Sequence, residues 1–341
     1  CLMIIPSHSQ QWKGAHVFSD LIVAYLFLGG TGAGCCLVAS LLTFFADADE
    51  LEPALACRLR SPQGLAWRRF FGAMHVAALC FLVLGGIALF ADVGRPDRLL
   101  LMLFQPSPTY VAFGAWSVAA CIAASLLCAL LWGGVVPCSR RLLLAASALA
   151  GVASVATMAY TGLMLSDMRA VPLWNTPWLA LLFVLSALSC GIALTLVASF
   201  ASRSTDAFAP TLANLAKVDA VVIAVEAVVG AFCLLSVWGM AGGASGPADG
   251  TAQAAAVSLQ SLLAGPWAVL FWAGFVFVGL AVPFVQDIVI GRASRVAAAS
   301  NCAAGRPLLV LGTAACVLAG GFLLRLLVVE AALHPLPAFI S

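Results

Sequence analysis

Eight long apolar stretches dominate the chain and decide what it can fold into. Each holds roughly 20 residues, the length that an α-helix needs to cross the hydrocarbon core of a bilayer. They lie at Leu21–Phe45, Phe70–Phe90, Tyr110–Trp132, Leu142–Leu165, Trp178–Phe200, Val218–Met240, Trp267–Val285 and Leu308–Val329. The chain is 63% hydrophobic and 9% charged, whereas a soluble domain is about 45–50% apolar and about 25% charged. The sequence therefore predicts an all-α, multi-pass membrane protein with eight transmembrane helices.

The distribution of Lys and Arg predicts which side of the membrane each loop faces. Eleven of the 16 basic residues lie in the loops that follow the first, third, fifth and seventh spans. Because basic residues concentrate in cytoplasmic loops, these loops should be cytoplasmic. Both termini and the loop after the second span should then be extracytoplasmic, with the protein in the plasma membrane.

The rest of the composition excludes several classes of function. The net charge is only +2, which argues against nucleic acid as a partner. The 12 cysteines are scattered, and no C-x-x-C spacing typical of iron–sulfur or zinc sites occurs. Only His75 of the four histidines lies within a span, whereas a membrane b-type haem usually takes two axial ligands. We therefore expect no haem and no metal in this chain, and we expect His75 to be a satisfied packing or interfacial residue.

Polar residues gather at the expected outer ends of the first four spans. The segment 91–116 contains Asp92 and Arg95, and its three prolines prevent one continuous helix. The same ends contain Asp20, Tyr25, Ser107, Tyr110, Tyr160, Asp167 and Arg169. All three tyrosines of the chain are among them. Residues from four consecutive spans thus converge on one face of the membrane, which favours a functional site there.

Simpler interpretations of these outer residues stay open. Asp92 and Arg95 could form an ion pair whose only role is to fix a loop. Tyr160, taken alone, is typical of the aromatic belt at a membrane interface.

A second set of ionisable residues lies inside later spans, where charge is costly and often functional. Glu226 in the sixth span and Arg325 in the eighth could form a buried pair that locks two helices, which is the simpler interpretation. Asp219 lies near the inner end of the sixth span. It could begin a proton route from the cytoplasm, or it could be a solvated helix end beside Lys217.

Small residues mark two other segments. Gly30 and Gly34 form a G-x-x-x-G pattern in the first span, which lets another helix backbone approach closely. Helix packing is the favoured interpretation, although the same space could admit a flat ring or an isoprenoid tail. The loop 241–265 is long and nearly uncharged, and Thr251–Leu263 should be either a short helix or a weak ninth hydrophobic segment.

Several of these segments together resemble the NrfD/PsrC family, the integral membrane subunits of polysulfide reductase-like molybdopterin oxidoreductases. The segments are AYLFLGGTGAG (24–34), ADVGRPDR (91–98), PSPTYVAFGAW (106–116), YTGLMLSDMRAVPLWN (160–175), LFVLSALSCG (182–191) and GGFLLRLLVVEA (320–331). Their order and spacing, rather than any single motif, carry the resemblance.

The resemblance implies a site for menaquinone or ubiquinone near the extracytoplasmic surface, within the first four helices. Tyr160 matches the family's tyrosine at the quinone ring, and Asp92 matches an acidic position after the second helix. Asp92 is therefore the expected proton acceptor, and Tyr160 the expected hydrogen-bond partner of a quinone oxygen. Arg95 would tune Asp92 or help to dock a partner, and Ser107 would line the same site.

In some family members a polar pair in the first helix also faces the quinone. This sequence does not match that pair by residue type. Its place would be taken by Tyr25, Asp20 or His16.

The resemblance also implies partners and an organisation. The partners would be an iron–sulfur electron-transfer subunit, a molybdopterin catalytic subunit and the surrounding membrane lipid. The expected parts are an extracytoplasmic N-terminus (1–20), a four-helix bundle with the quinone site (21–166), a second four-helix bundle (167–330) and an extracytoplasmic tail (331–341).

The sequence thus predicts a quinol-oxidising or quinone-reducing membrane anchor subunit that passes electrons between the quinone pool and these partners. Two other functions stay open. An ion- or solute-translocating subunit without quinone chemistry would use Glu226, Arg325 and Asp219. A passive anchor would use none of them.

Overall fold

The computed structural model describes residues 20–56, 61–92, 109–136, 138–168, 171–243, 249–297 and 306–332, most of which are helical. The helices are α1 (Asp20–Phe44), α2 (Ala48–Ala56), α3 (Pro62–Asp92), α4 (Tyr110–Gly133), α5 (Arg140–Ser166), α6 (Pro177–Ala201), α7 (Ala209–Met240), α8 (Gly250–Leu263), α9 (270–297) and α10 (Arg306–Glu330). Helix α9 is wound as a π-helix over Leu270–Ala281 and as an α-helix over Val282–Ala297.

Eight helices in the described part of the chain are long and apolar enough to cross a membrane. They are α1, α3, α4, α5, α6, α7, α9 and α10, which confirms the eight predicted spans. Helix α8 has 14 residues, fewer than the roughly 20 that a span needs. The Asp249 carboxylate caps it by accepting a hydrogen bond from the Ala252 N–H at 2.8 Å. The segment after the sixth span is therefore a short helix and not a ninth span.

Two spans begin earlier than predicted. Helix α3 begins at Pro62 rather than Phe70, and α7 begins at Ala209 rather than Val218. Apolar content identifies only the part of a helix inside the bilayer, whereas these helices continue into the polar interface. Proline in the first turn suits such a start, because its missing N–H would have no partner there.

The eight spanning helices pack as two groups of four. In the first group α1, α3, α4 and α5 contact each other in ring order, and in the second group α6, α7, α9 and α10 do the same. Helix α6 joins the groups through contacts with α1, α3 and α5, and α1 also contacts α10.

Glycines let α1 pack closely on both sides. A Cβ atom at Gly34 would overlap the backbone of α6 at Ala187, and one at Gly191 would overlap Gly34. On another face, a Cβ at Gly32 would lie 2.9 Å from the Ala78 carbonyl oxygen of α3. The prediction of close helix packing is confirmed. Helix α6 and the Arg325 side chain also lie beside Gly30.

One surface ion pair agrees with the expected topology. Arg140, at the start of α5, lies 3.6 Å from Glu52 of α2, and both side chains are exposed. The pair places the loops after the first and third spans at the same end of the molecule, as the basic residues require.

We expect that end to be cytoplasmic. Reporter fusions in the loop after α4, next to Arg141, should give a cytoplasmic signal. Fusions in the loop between α7 and α8 should give an extracytoplasmic one. The reverse result would place the outer tyrosines and Asp92 on the wrong side of the membrane.

Candidate functional site

The two predicted catalytic residues, Asp92 and Tyr160, lie on two helices that run in the same direction. Asp92 is the last residue of α3, and Tyr160 lies in the last two turns of α5. These helices occupy opposite corners of the first group, and each contacts α1 and α4. Arg95, Ser107 and Arg169 lie outside the described residues, as does His16.

The Tyr160 ring occupies space that is free because the facing residue is a glycine. Its side chain is buried on α5, and its ring lies directly against Gly114 of α4. A Cβ atom at Gly114 would overlap the ring. Gly114 thus fixes the ring position, which is the kind of support that a functional side chain needs.

Tyr25 is also buried, and it belongs to the same apolar cluster as Tyr160. Its ring edge lies 3.6 Å from the position of a Cβ at Gly29. Tyr110 and Asp167, which belong to the same predicted group, are exposed at the ends of α4 and α5. Two of the three tyrosines at the expected outer end, Tyr25 and Tyr160, are therefore buried, whereas Tyr110 is exposed.

The Gly114→Ala variant should move the Tyr160 ring and cost about 1–3 kcal/mol of stability, as overpacking of a close contact does. Thermal unfolding followed with a thiol-reactive dye would measure this, because several cysteines are buried and free. Gly86→Ala is the matched control, since a Cβ there meets nothing within 4 Å. In a Tyr160→Ala background the cost of Gly114→Ala should nearly disappear. An equal cost in both backgrounds would show that the ring does not depend on Gly114.

Arg325 forms the most connected polar centre among the described spans. Its side chain is 1% exposed, and its guanidinium lies 5.6 Å from the centre of the Phe183 ring. It donates hydrogen bonds to the Leu26 carbonyl at 3.2 Å, to the Ser186 hydroxyl at 3.0 Å and to the Gly321 carbonyl at 2.6 Å. These bonds connect α10 to α1 and α6.

The expected direct pair between Arg325 and Glu226 is not formed. In the described part of the chain, the ion pair within 4 Å is Arg140–Glu52. Glu226 is buried on α7, and its polar neighbours are Ser186 and Arg325. Ser186 accepts the hydrogen bond from Arg325, so the guanidinium is bound to a serine of α6, which residue type did not predict.

Asp219 is not a solvated helix end. It is 1% exposed on α7, next to Asp287 of α9, which is fully buried. Lys217 instead donates to the Asn214 side chain at 2.9 Å. Sequence reasoning missed Asp287, because the seventh span was predicted to end at Val285. The available signal was a carboxylate in an otherwise apolar segment.

His75 is fully buried on α3 beside Cys36 of α1. Neither ring nitrogen has a hydrogen-bond partner among the described residues. Its complete burial favours the packing interpretation of His75 over the interfacial one. No group of three or more His, Cys, Asp or Glu side chains in the described regions has a metal-binding arrangement.

Comparison with known proteins identifies the family to which the chain is similar. The profile of the family described as "Polysulphide reductase, NrfD" matches residues 7–337. A relative from Wolinella succinogenes, the C subunit of polysulfide reductase, is 31% identical over 139 residues. That alignment covers 41% of this chain and 41% of the relative, so the chain spans about two fifths of the relative's length. Because the family match extends over nearly the whole sequence and includes all eight spanning helices, the chain belongs to the polysulphide reductase NrfD family.

Proposed function

We propose that the chain is the quinone-reactive membrane subunit of a respiratory oxidoreductase. It would exchange electrons between the membrane quinone pool and subunits outside the membrane. The observation that carries the proposal is the pair of buried phenols, Tyr25 and Tyr160, in one apolar cluster at the end of the first helix group where Asp92 ends α3. Family membership supports the same assignment.

The residue types present suit menaquinone or ubiquinone. A quinone is a flat apolar ring with two carbonyl oxygens, so its site needs an apolar lining and a few hydrogen-bond donors. The apolar core cluster that contains Tyr25 and Tyr160 also contains side chains such as Val118, Leu165 and Leu179. Each phenol has one O–H donor for a carbonyl oxygen.

The residues have separable roles in this proposal. When bound, a quinol supplies two electrons and two protons. Tyr160 would hold the ring by donating a hydrogen bond to one oxygen, and Gly114 would hold Tyr160. The Asp92 carboxylate would take up a proton, because a carboxylate close to water is an effective acceptor. Arg95 and Ser107 would act next to it.

The electrons require partners. We propose an iron–sulfur subunit that takes electrons at the outer face and a molybdopterin subunit that uses them. The name of the Wolinella succinogenes relative, one subunit of polysulfide reductase, supports an assembly of several subunits. Electron flow in the reverse direction would use the same residues.

A Tyr160→Phe variant tests the proposal. Loss of one hydrogen bond, on the order of 1 kcal/mol, should raise the KM for quinol about fivefold and leave kcat nearly unchanged. The measurement is quinol-dependent electron delivery to the partner subunits in membranes, with assembly checked by blotting. Tyr110→Phe is the matched control, because Tyr110 is 46% exposed at the end of α4. Equal KM values for the two variants and the wild type would remove Tyr160 from the site.

A further inference from the structure

The second helix group contains two acidic side chains that are buried against each other. Asp219 of α7 is 1% exposed, and Asp287 of α9 is fully buried. The two carboxyl groups are immediate neighbours. Asp219 lies about ten residues, roughly 15 Å along the helix, from the start of α7 at Ala209. Because Asp219 follows the predicted span start at Val218 by one residue, the pair lies near the expected cytoplasmic end of the spanning part, buried within the protein.

The polar atoms at this place lack partners. One oxygen of Asp219 and both oxygens of Asp287 are buried without a hydrogen bond from any described residue. The same holds for the hydroxyl of Ser189, which is 2% exposed on α6 and faces the Asp219 carboxylate. Buried polar atoms are normally satisfied. Three helices thus direct unpaired oxygen atoms to one point.

No described Lys or Arg side chain lies within 4 Å of either carboxylate, and Lys217, two residues before Asp219 on α7, donates to the Asn214 side chain. The other titratable or charged groups around the pair are Glu226 on α7, Cys190 on α6 and Arg325 on α10. Glu226 is acidic, and Cys190 is a thiol. The guanidinium of Arg325 donates instead to Leu26, Ser186 and Gly321.

Two buried carboxylates this close cannot both remain ionised without a cation. One proton shared by the pair still leaves a single negative charge, so a second positive charge is required for neutrality. Oxygen-only donors suit a hard cation. Burial favours protonation of one carboxyl group of such a pair, and Mg²⁺ or Ca²⁺ would then leave a net positive charge. A monovalent cation is the better match.

We propose that Asp219, Asp287 and Ser189 form a buried site for one exchangeable monovalent cation, either a proton or Na⁺. The site lies in the second helix group, away from Tyr25 and Tyr160, and does not depend on quinone chemistry. Its occupancy should change with pH, with Na⁺ concentration, or with both.

Infrared difference spectroscopy on the full chain in lipid nanodiscs tests this directly. A film of these nanodiscs is perfused first with buffers that differ in pH. It is then perfused with buffers in which NaCl replaces choline chloride at constant pH. A protonated carboxyl group has its own C=O stretching band. We expect a band of this kind to be lost as the pH rises if the site exchanges protons, and to be lost on addition of Na⁺ if Na⁺ displaces the proton.

Variants assign the band. Asp219→Asn and Asp287→Asn keep the size of the side chain, and each should abolish the exchange. Ser189→Ala removes one neutral hydrogen-bond donor. It should shift the proton or Na⁺ concentration at which the site is half occupied about fivefold. Glu226→Gln is the control for a buried acid outside the pair, and it should leave the Asp219 and Asp287 band in place.

The outcomes are distinct. A band that responds to pH alone identifies a proton site, and one that responds to Na⁺ at constant pH identifies a Na⁺ site. The proposal is overturned if folded wild-type protein shows no difference band that either Asn variant removes. It is also overturned if the band persists unchanged in both variants. Neither result bears on the Tyr160 assay, so the two proposals can fail separately.

Discussion

Replacing Asp92 with Asn should reduce quinol-dependent electron delivery to the partner subunits by about 100-fold or more. Asn keeps the size of the side chain but cannot accept a proton, and general base catalysis typically contributes about 10²–10⁴-fold. The KM for quinol should change only modestly, because most binding comes from the apolar lining. The measurement is turnover in membranes at saturating quinol, with the amount of assembled complex determined by blotting.

Asp167→Asn is the matched control for this variant. Asp167 is an exposed carboxylate just after the end of α5, at the same expected face of the membrane. It should leave turnover within about twofold, since it has no role in proton transfer. If Asp92→Asn assembles and works normally while Glu226→Gln is inactive, the site lies in the second helix group and the proposed function is wrong.

Replacing Arg325 with Met should destabilise the protein by about 3–5 kcal/mol, the usual cost of removing one partner from a buried charged network. The change removes the hydrogen bonds to Leu26 of α1 and Ser186 of α6. It also leaves Glu226 buried without its positive neighbour. Thermal unfolding with a thiol-reactive dye would measure the loss, together with the yield of assembled complex.

Three further variants separate the causes. Arg325→Lys keeps the charge but lacks the fork of donors, so it should recover only part of the stability. Glu226→Gln in the Arg325→Met background should also recover part, because it removes the uncompensated charge. Arg140→Met is the surface control, with an expected cost of about 0–1 kcal/mol, since its pair with Glu52 is exposed. A stable Arg325→Met variant would show that these bonds contribute little.

The sequence predicted the spanning helices well because hydropathy over about 20 residues depends on composition alone. It located the starts of α3 and α7 poorly, because the first turns of those helices, from Pro62 and Ala209, are less apolar than the spans that follow them. The G-x-x-x-G pattern likewise predicted that another helix packs closely on α1, but it did not predict that this helix is α6.

The contacts between distant residues could not be predicted in the same way. Asp219 and Asp287 meet because α7 and α9 pack in a particular register, which no local pattern encodes. The role of Gly114 depends on which face of α4 lies against Tyr160. The burial of His75 beside Cys36 likewise depends on how α3 packs against α1. The role of Asp92 at the quinone remains a prediction that the Asp92→Asn variant tests, and the roles of Arg95 and Ser107 also remain predictions.

The backbone contact between Gly34 and Gly191 limits how the two helix groups can move. Secondary transporters commonly work by rocking one half of the molecule against the other. Here such rocking would have to separate α1 from α6 at the point where no side chain lies between them, and would also break the bond from Arg325 to Leu26. These two contacts favour a fixed arrangement of the helix groups over alternating access.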